Sequence, residues 1–211
     1  MKWLFPSLFV AAFVSGLFIA LKPAEVNVPI VASVIDPRTV PGPMAPEVVN
    51  LVVQIQQGTQ SKYVLDTKSG ILSLDDIPYH QLNLPGDYGV IAKTLGRDGK
   101  ELGVIALTTD PAPAGTLIKV RPIGLILADE GSSTRNIIIS VPIADIRFRD
   151  VYEISDLQKE DKDSIVSYIK DYKTLKGRPA KVISNEDSKT TKHIIELGIS
   201  AYNRSIELES K

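Results

Sequence analysis

The chemistry open to this chain is bounded first by what it lacks. It has no cysteine, which removes thiolate nucleophiles, disulfides and zinc-thiolate sites. Its two histidines, His80 and His193, have no His-x-x-x-His or Glu-x-x-His spacing around them, so the sequence offers no histidine metal site. A metal ion would have to be held by carboxylates, and two acidic turns offer them: Asp98-Gly99 and Asp129-Glu130-Gly131. By themselves these stretches describe a hairpin turn and a solvated turn. Lys62 and Lys173 read as exposed charges. Tyr88 and Tyr172 sit in apolar patterns, where a core role would leave each hydroxyl needing a partner.

The elements that must position these groups are mostly strands. Pro85 to Leu107 contains two Val, Ile and Leu-rich runs flanking Asp98-Gly99, which predicts a β-hairpin with a tight loop. Val49–Gln56 predicts another strand, and Lys62–Asp66 with Ser69–Leu74 a second hairpin. Thr116–Leu127 is a long strand interrupted by Pro122 and Gly124, as expected where a sheet bends into a barrel, and Ile137–Val141 is a further strand. The last third changes period. Ser155-Asp156-Leu157-Gln158 resembles a capping box, followed by Ile165, Ile169 and Tyr172 at helical spacing. A second helix is expected from about Asp187 to Tyr202, capped by Asp187 or Ser188, with Ile194, Leu197 and Ala201 on one face. Strands first and helices after is an α+β layout.

Ahead of this domain the run Leu4–Leu21 is uncharged, preceded by Lys2 and closed by Lys22, which predicts a signal peptide or a signal anchor over 1–22. Six prolines between 23 and 47 predict a linker, 48–205 the folded domain and 206–211 a polar tail. The expectation is an exported protein, periplasmic or otherwise extracytoplasmic, that meets the membrane only through its N-terminal segment. A formal net charge of −1, with no basic block interleaved with aromatics, excludes nucleic acid as a partner.

Five motifs in order resemble the soluble (family I) inorganic pyrophosphatases. They are Lys62-Tyr63 with Ser69-Gly70, Pro85-x-x-Tyr88-Gly89 with Asp98-Gly99, Val120-Arg121-Pro122-Ile123-Gly124, Asp129-Glu130-Gly131, and Ile169-Lys170-Asp171-Tyr172-Lys173. The resemblance implies an OB-like five-stranded β-barrel with packed C-terminal helices, a site at the barrel mouth, a possible homo-oligomer, and magnesium with diphosphate or phosphate as ligands. It implies Asp98, Tyr88 and Lys62 as the catalytic set. Lys62, Tyr88, Tyr172 and Lys173 would be the substrate-binding set, with Asp98 and Asp129 as metal ligands. Diphosphate carries several negative charges, and hard divalent cations held by oxygen donors both neutralise it and activate water.

The donors are thinned. Where the resemblance implies acids this chain has Gln54, Val64, Lys100, Gly103 and Thr134; where it implies a lysine and an arginine it has Asn136 and Asp76. A one-residue change of register in the last turn gives Arg135 and Ile137 instead. Strand alternation would point Glu101 away from Lys100, and the Lys100 ammonium would pair with Asp98 and repel a divalent ion. The sequence therefore favours an anion-binding, pseudoenzyme-like member without efficient hydrolysis. The alternative is a magnesium-dependent diphosphatase with a reduced site.

Overall fold

The computed structural model describes residues 36–66, 69–77, 83–129, 134–174 and 181–209, all within one compact unit, Ile35–Lys211. The N-terminal run, His80, Glu130, Gly131 and the side chains of Asp129, Tyr172 and Lys173 lie outside the described residues.

Strands form where the β-branched runs predicted them: β1 Val49–Ile55, β2 Lys62–Leu65, β3 Leu72–Asp76, β4 Asp87–Ile91, β5 Leu102–Ala106, β6 Leu117–Asp129 and β7 Thr134–Pro142, with a later β8 Lys181–Glu186. Strand order β1-β4-β5-β7-β6, closed by β1 on β6, makes a five-stranded barrel. Closure works because β6 is long: Leu117–Val120 pairs with β1, while Leu125–Asp129 pairs with β8. Its register shifts between Pro122 and Gly124, where the missing amide hydrogen of proline breaks the ladder and turns the strand. β2 and β3 form a separate hairpin sheet.

Strand alternation sorts the core into two layers. Val49, Leu51, Ile91, Val104, Val120 and Ile138 come from all five barrel strands and pack with Ile195, forming the interior. Ile105, Ile126, Ile139 and Val141 face the other way, against Phe148, Leu157, Ile165 and Tyr168. The last two belong to α1, Lys159–Thr174; α2 is Ser188–Glu209. Because β5 is covered on both faces, all five of its residues are buried, as an unbroken apolar run requires.

Four expectations are corrected. The Asp98-Gly99 turn is not a tight hairpin loop, since residues 92–101 form the connection between β4 and β5. The capping box belongs to Glu153 and Asp156 on a short 3-10 turn, and α1 starts after it at Lys159. α2 runs past Tyr202 to Glu209 and buries Thr191, Ile195 and Gly198, a stripe one residue out of phase with the one expected. β8 was not anticipated; it is short, ends in Ser184-Asn185-Glu186, and is stabilised by the exposed edge of β6 more than by its own pattern. Asp187 does cap α2, its Oδ1 accepting the Thr190 N–H at 2.8 Å.

Polar residues fix the loops to the barrel. Asp87 is fully buried and accepts hydrogen bonds from the Gln57 N–H (2.8 Å), the Thr108 hydroxyl (3.1 Å) and the Ala112 N–H (2.8 Å). Arg121 of the Val-Arg-Pro motif donates to the Val151 carbonyl at 2.7 Å and lies over the Tyr152 ring, so it holds the segment leading to α1. Gly89 is required sterically: a Cβ there would lie 2.0 Å from the Val52 carbonyl oxygen.

Candidate functional site

The connection between β4 and β5 is built by short-range hydrogen bonds. The buried Thr94 hydroxyl donates to the Ile91 carbonyl (2.6 Å) and accepts from the Leu102 N–H (3.0 Å), so the two strand ends are clamped by one side chain. Gly96 donates to the Lys100 carbonyl at 2.7 Å, and Gly99 turns the chain with φ of 71°, a left-handed conformation that glycine adopts without strain. Asp98 accepts the Lys100 backbone N–H at 3.2 Å. Its carboxylate thus stabilises its own turn, and no Lys100 ammonium pairs with it among the described residues.

Glu101 precedes β5, so strand alternation does not govern it and it does not point away from the site as expected. It lines a small cavity with Asp98, Gly103 and Asn136, and a second cavity of about 50 Å³ with Gln54, Val64 and Arg38. Burial pushes its carboxyl above the usual carboxylate range even though part of the residue faces solvent; the Lys93 N–H, bonded to it, acts in the opposite sense. Lys93 itself has φ of 56°, the left-handed region that a lysine rarely occupies. Arg38 comes from the proline-rich segment before the barrel and is held by Asp36, with Nη2 to Oδ2 at 2.7 Å; the guanidinium keeps the Asp36 carboxyl below its ordinary range.

The decisive geometry lies beside these cavities, on the same two strands. Val90 pairs with Gly103 and Tyr88 with Ile105. A Cβ built on Gly103 would lie 2.8 Å from the Tyr88 hydroxyl oxygen, so a side chain at 103 would crowd that hydroxyl and one of the two would have to shift. Ile137 is the register partner of Gly103 on β7 and is buried in the layer that Tyr88 packs against, while Asn136 lines the cavity beside Asp98. Neither residue supplies a cation.

Lys62 lies on the separate hairpin with its Nζ 2.6 Å from Asp75, and Asp76 is its register partner. The charge expected to meet a phosphoryl oxygen is therefore shared with the Asp75 carboxylate. Asp129 ends β6 opposite Thr134, and Tyr172 and Lys173 fall in the last turn of α1. The Asn83 side chain ties that turn to the chain before β4 by donating to Asp171 at 3.0 Å. The structure thus brings both Asp98 and Tyr88 close to Gly103, and places Lys62 on another sheet. Sequence reasoning missed Arg38, Asp75 and Lys93, and only the Lys62/Asp75 hairpin spacing carried a readable signal.

Among the described residues, Asp98 and Glu101 are the carboxylates lining the small cavity; Asn136 adds an amide there and Gln54 lines the second cavity, with the Tyr88 hydroxyl beside Gly103.

A family model described as "Inorganic pyrophosphatase" matches residues 51–203. An inorganic pyrophosphatase of Sulfolobus acidocaldarius is 34% identical over 162 residues, covering 75% of this chain and 94% of that protein. One from Halalkalibacterium halodurans is 32% identical over 151 residues, covering 72% and 93%. The crystal structure of inorganic pyrophosphatase from Thermus thermophilus superposes with a TM-score of 0.70 at 31% identity, covering 80% of this chain and 99% of that one.

Proposed function

The chain belongs to the inorganic pyrophosphatase family, and from that premise we propose that it binds phosphate-type anions without hydrolysing diphosphate efficiently. One observation carries this reading: position 103, where the family resemblance implies an acid, is a glycine with no oxygen to offer, and the Tyr88 hydroxyl lies 2.8 Å from where its Cβ would be. Holding a polyanion for attack by water needs several hard cations, hence several carboxylates. This site replaces them with a hydroxyl, an ammonium and amides. Lys100, Tyr88, Tyr172 and Lys173 remain as donors to a phosphoryl oxygen, with Lys62 weakened by Asp75. Export, supported by the uncharged run Leu4–Leu21, would place this binding outside the cytosol, and fractionation of cells expressing the full chain tests it.

A second reading, a magnesium-dependent diphosphatase with a reduced site, is favoured by Asp98, Glu101 and Asn136 lining one cavity, three side chains with hard oxygen atoms. Phosphate release from magnesium and diphosphate by the full chain separates the two, with calorimetric titration of phosphate alongside. Phosphate binding with no turnover above background is the expected result. Turnover within about a thousandfold of common enzyme rates of roughly 10 s⁻¹ would overturn it and support the second reading. A Lys100→Asp/Gly103→Asp variant should gain magnesium binding, provided Tyr88 moves aside.

A further inference from the structure

The stripe Ile194, Leu197, Ala201 and Arg204 on α2 is displaced from the buried stripe and does not enter the barrel. It forms one wall of a groove of about 310 Å³, closed on the other side by Leu95, Gly96 and Arg97 and floored by Leu102 and Asn136. That volume lies at the lower end of the range of small-molecule sites, about 300–1,000 Å³. The groove is preformed. The Leu95 N–H donates to the Gly198 carbonyl at 3.0 Å, and a Cβ at Gly198 would lie 2.7 Å from Leu102 Cδ1, so helix and loop are locked at contact distance.

Its chemistry is two-sided. The body is apolar, and Leu197 leaves 48% of its surface exposed there. The charged residues lining it are both cations, Arg97 and Arg204, and neither has an ion pair with a described carboxylate. Among the described residues no acid lines the groove itself, Asp98 and Glu101 lining the adjoining small cavity instead. A ligand complementary to this surface has an aliphatic body and one anionic head. We propose that this groove is a binding site for a small amphipathic anion of the fatty-carboxylate type. The groove adjoins the Asp98 and Glu101 cavity through Gly96, Arg97, Leu102 and Asn136, but neither Tyr88 nor Gly103 lines it, and the proposal does not depend on the anion-binding reading given above.

Titration calorimetry of the full chain with decanoate below its micellar concentration tests this, with decanol as the uncharged analogue. Decanoate should bind more tightly than decanol. Arg97→Gln/Arg204→Gln should weaken decanoate about tenfold, two surface ion pairs' worth, and leave decanol unchanged. Ala201→Trp should fill the groove and remove binding of both. Leu197→Ser, at an exposed position that cannot unfold the helix, should weaken both and keeps the test valid if the tryptophan variant misfolds. Decanoate binding that survives Ala201→Trp and Leu197→Ser would overturn the proposal, as would equal affinities for decanoate and decanol. So would no binding to the wild-type chain, or a self-associated state in solution that Ala201→Trp dissociates.

Discussion

Replacing Gly103 by alanine probes the contact on which the functional reading stands. The new Cβ would lie 2.8 Å from Tyr88 Oη, 3.3 Å from Cε2 and 3.4 Å from Cζ. In a strand interior, glycine to alanine ordinarily gains about 0.5–1 kcal/mol from backbone entropy. Overpacking opposes this by about 1–3 kcal/mol, because the Tyr88 ring packs against the buried layer and has little room to yield. The balance is a loss of about 1–2 kcal/mol for Gly103→Ala. Tyr88→Phe deletes the nearest atom and leaves neighbours at 3.3 and 3.4 Å, distances that a few tenths of an ångström relieve. In that background the alanine should be neutral or slightly stabilising. A double-mutant cycle by urea unfolding, followed by far-UV circular dichroism, should thus give a coupling of about 1–2 kcal/mol between positions 88 and 103. Additivity within about 0.5 kcal/mol would refute the placement of the hydroxyl over Gly103. The claim that the hydroxyl crowds a side chain at 103 would fail with it.

Two further outcomes follow from the same coordinates. Asp87→Ala strands three part-buried donors, from Gln57, Thr108 and Ala112, and should lower unfolding free energy by about 2–4 kcal/mol in the same assay, with Asp87→Asn losing less. The pH dependence should show two carboxyls of opposite sign. Burial raises Asp145, but hydrogen bonds from Thr109 and the Arg147 N–H outweigh it and set its folded value below the ordinary 3.8; the stability it contributes is present above 3.8 and lost as pH falls through the lower folded value. Asp145→Asn should flatten that acid limb. Glu101 is raised, so its ionisation weakens the fold as pH climbs from the ordinary 4.5 through the higher folded value. Glu101→Gln should therefore be more stable than the parent at neutral pH, and the difference should vanish below pH 4.5. A constant offset at all pH values would show that the glutamate is not desolvated.

Much of the barrel was legible along the chain because the strands carry their own signal. Val49–Ile55 and Ile137–Val141 are dense in β-branched residues, and Pro122 with Gly124 marked the bend of β6 where the register does shift. What failed were choices between alternatives that local pattern leaves nearly equal. On α2 both 191/195/198 and 194/197/201 are acceptable stripes. The packed one is decided by Gly198, which alone allows Leu102 and the Leu95 N–H to approach so closely. Asp87 and Thr94 are buried polar residues whose partners come from elements far along the chain or from across a loop, so neither looks like core in sequence.

At the site, the substitutions themselves could be read along the chain: a lysine, a glycine and a valine stand where the family resemblance implies carboxylates, and a side chain without an oxygen donor cannot hold magnesium wherever it lies, while Gln54 and Thr134 offer only neutral oxygens. Only the folded chain decided what filled the vacated positions. Strand pairing put Tyr88 over Gly103, a residue before β5 escaped alternation and brought Glu101 to the cavity, and the proline-rich segment returned Arg38 to the same wall. Residue type determines which chemistry is possible at a position. Which neighbour occupies the space depends on contacts between elements distant in sequence, and those exist only once the barrel has closed.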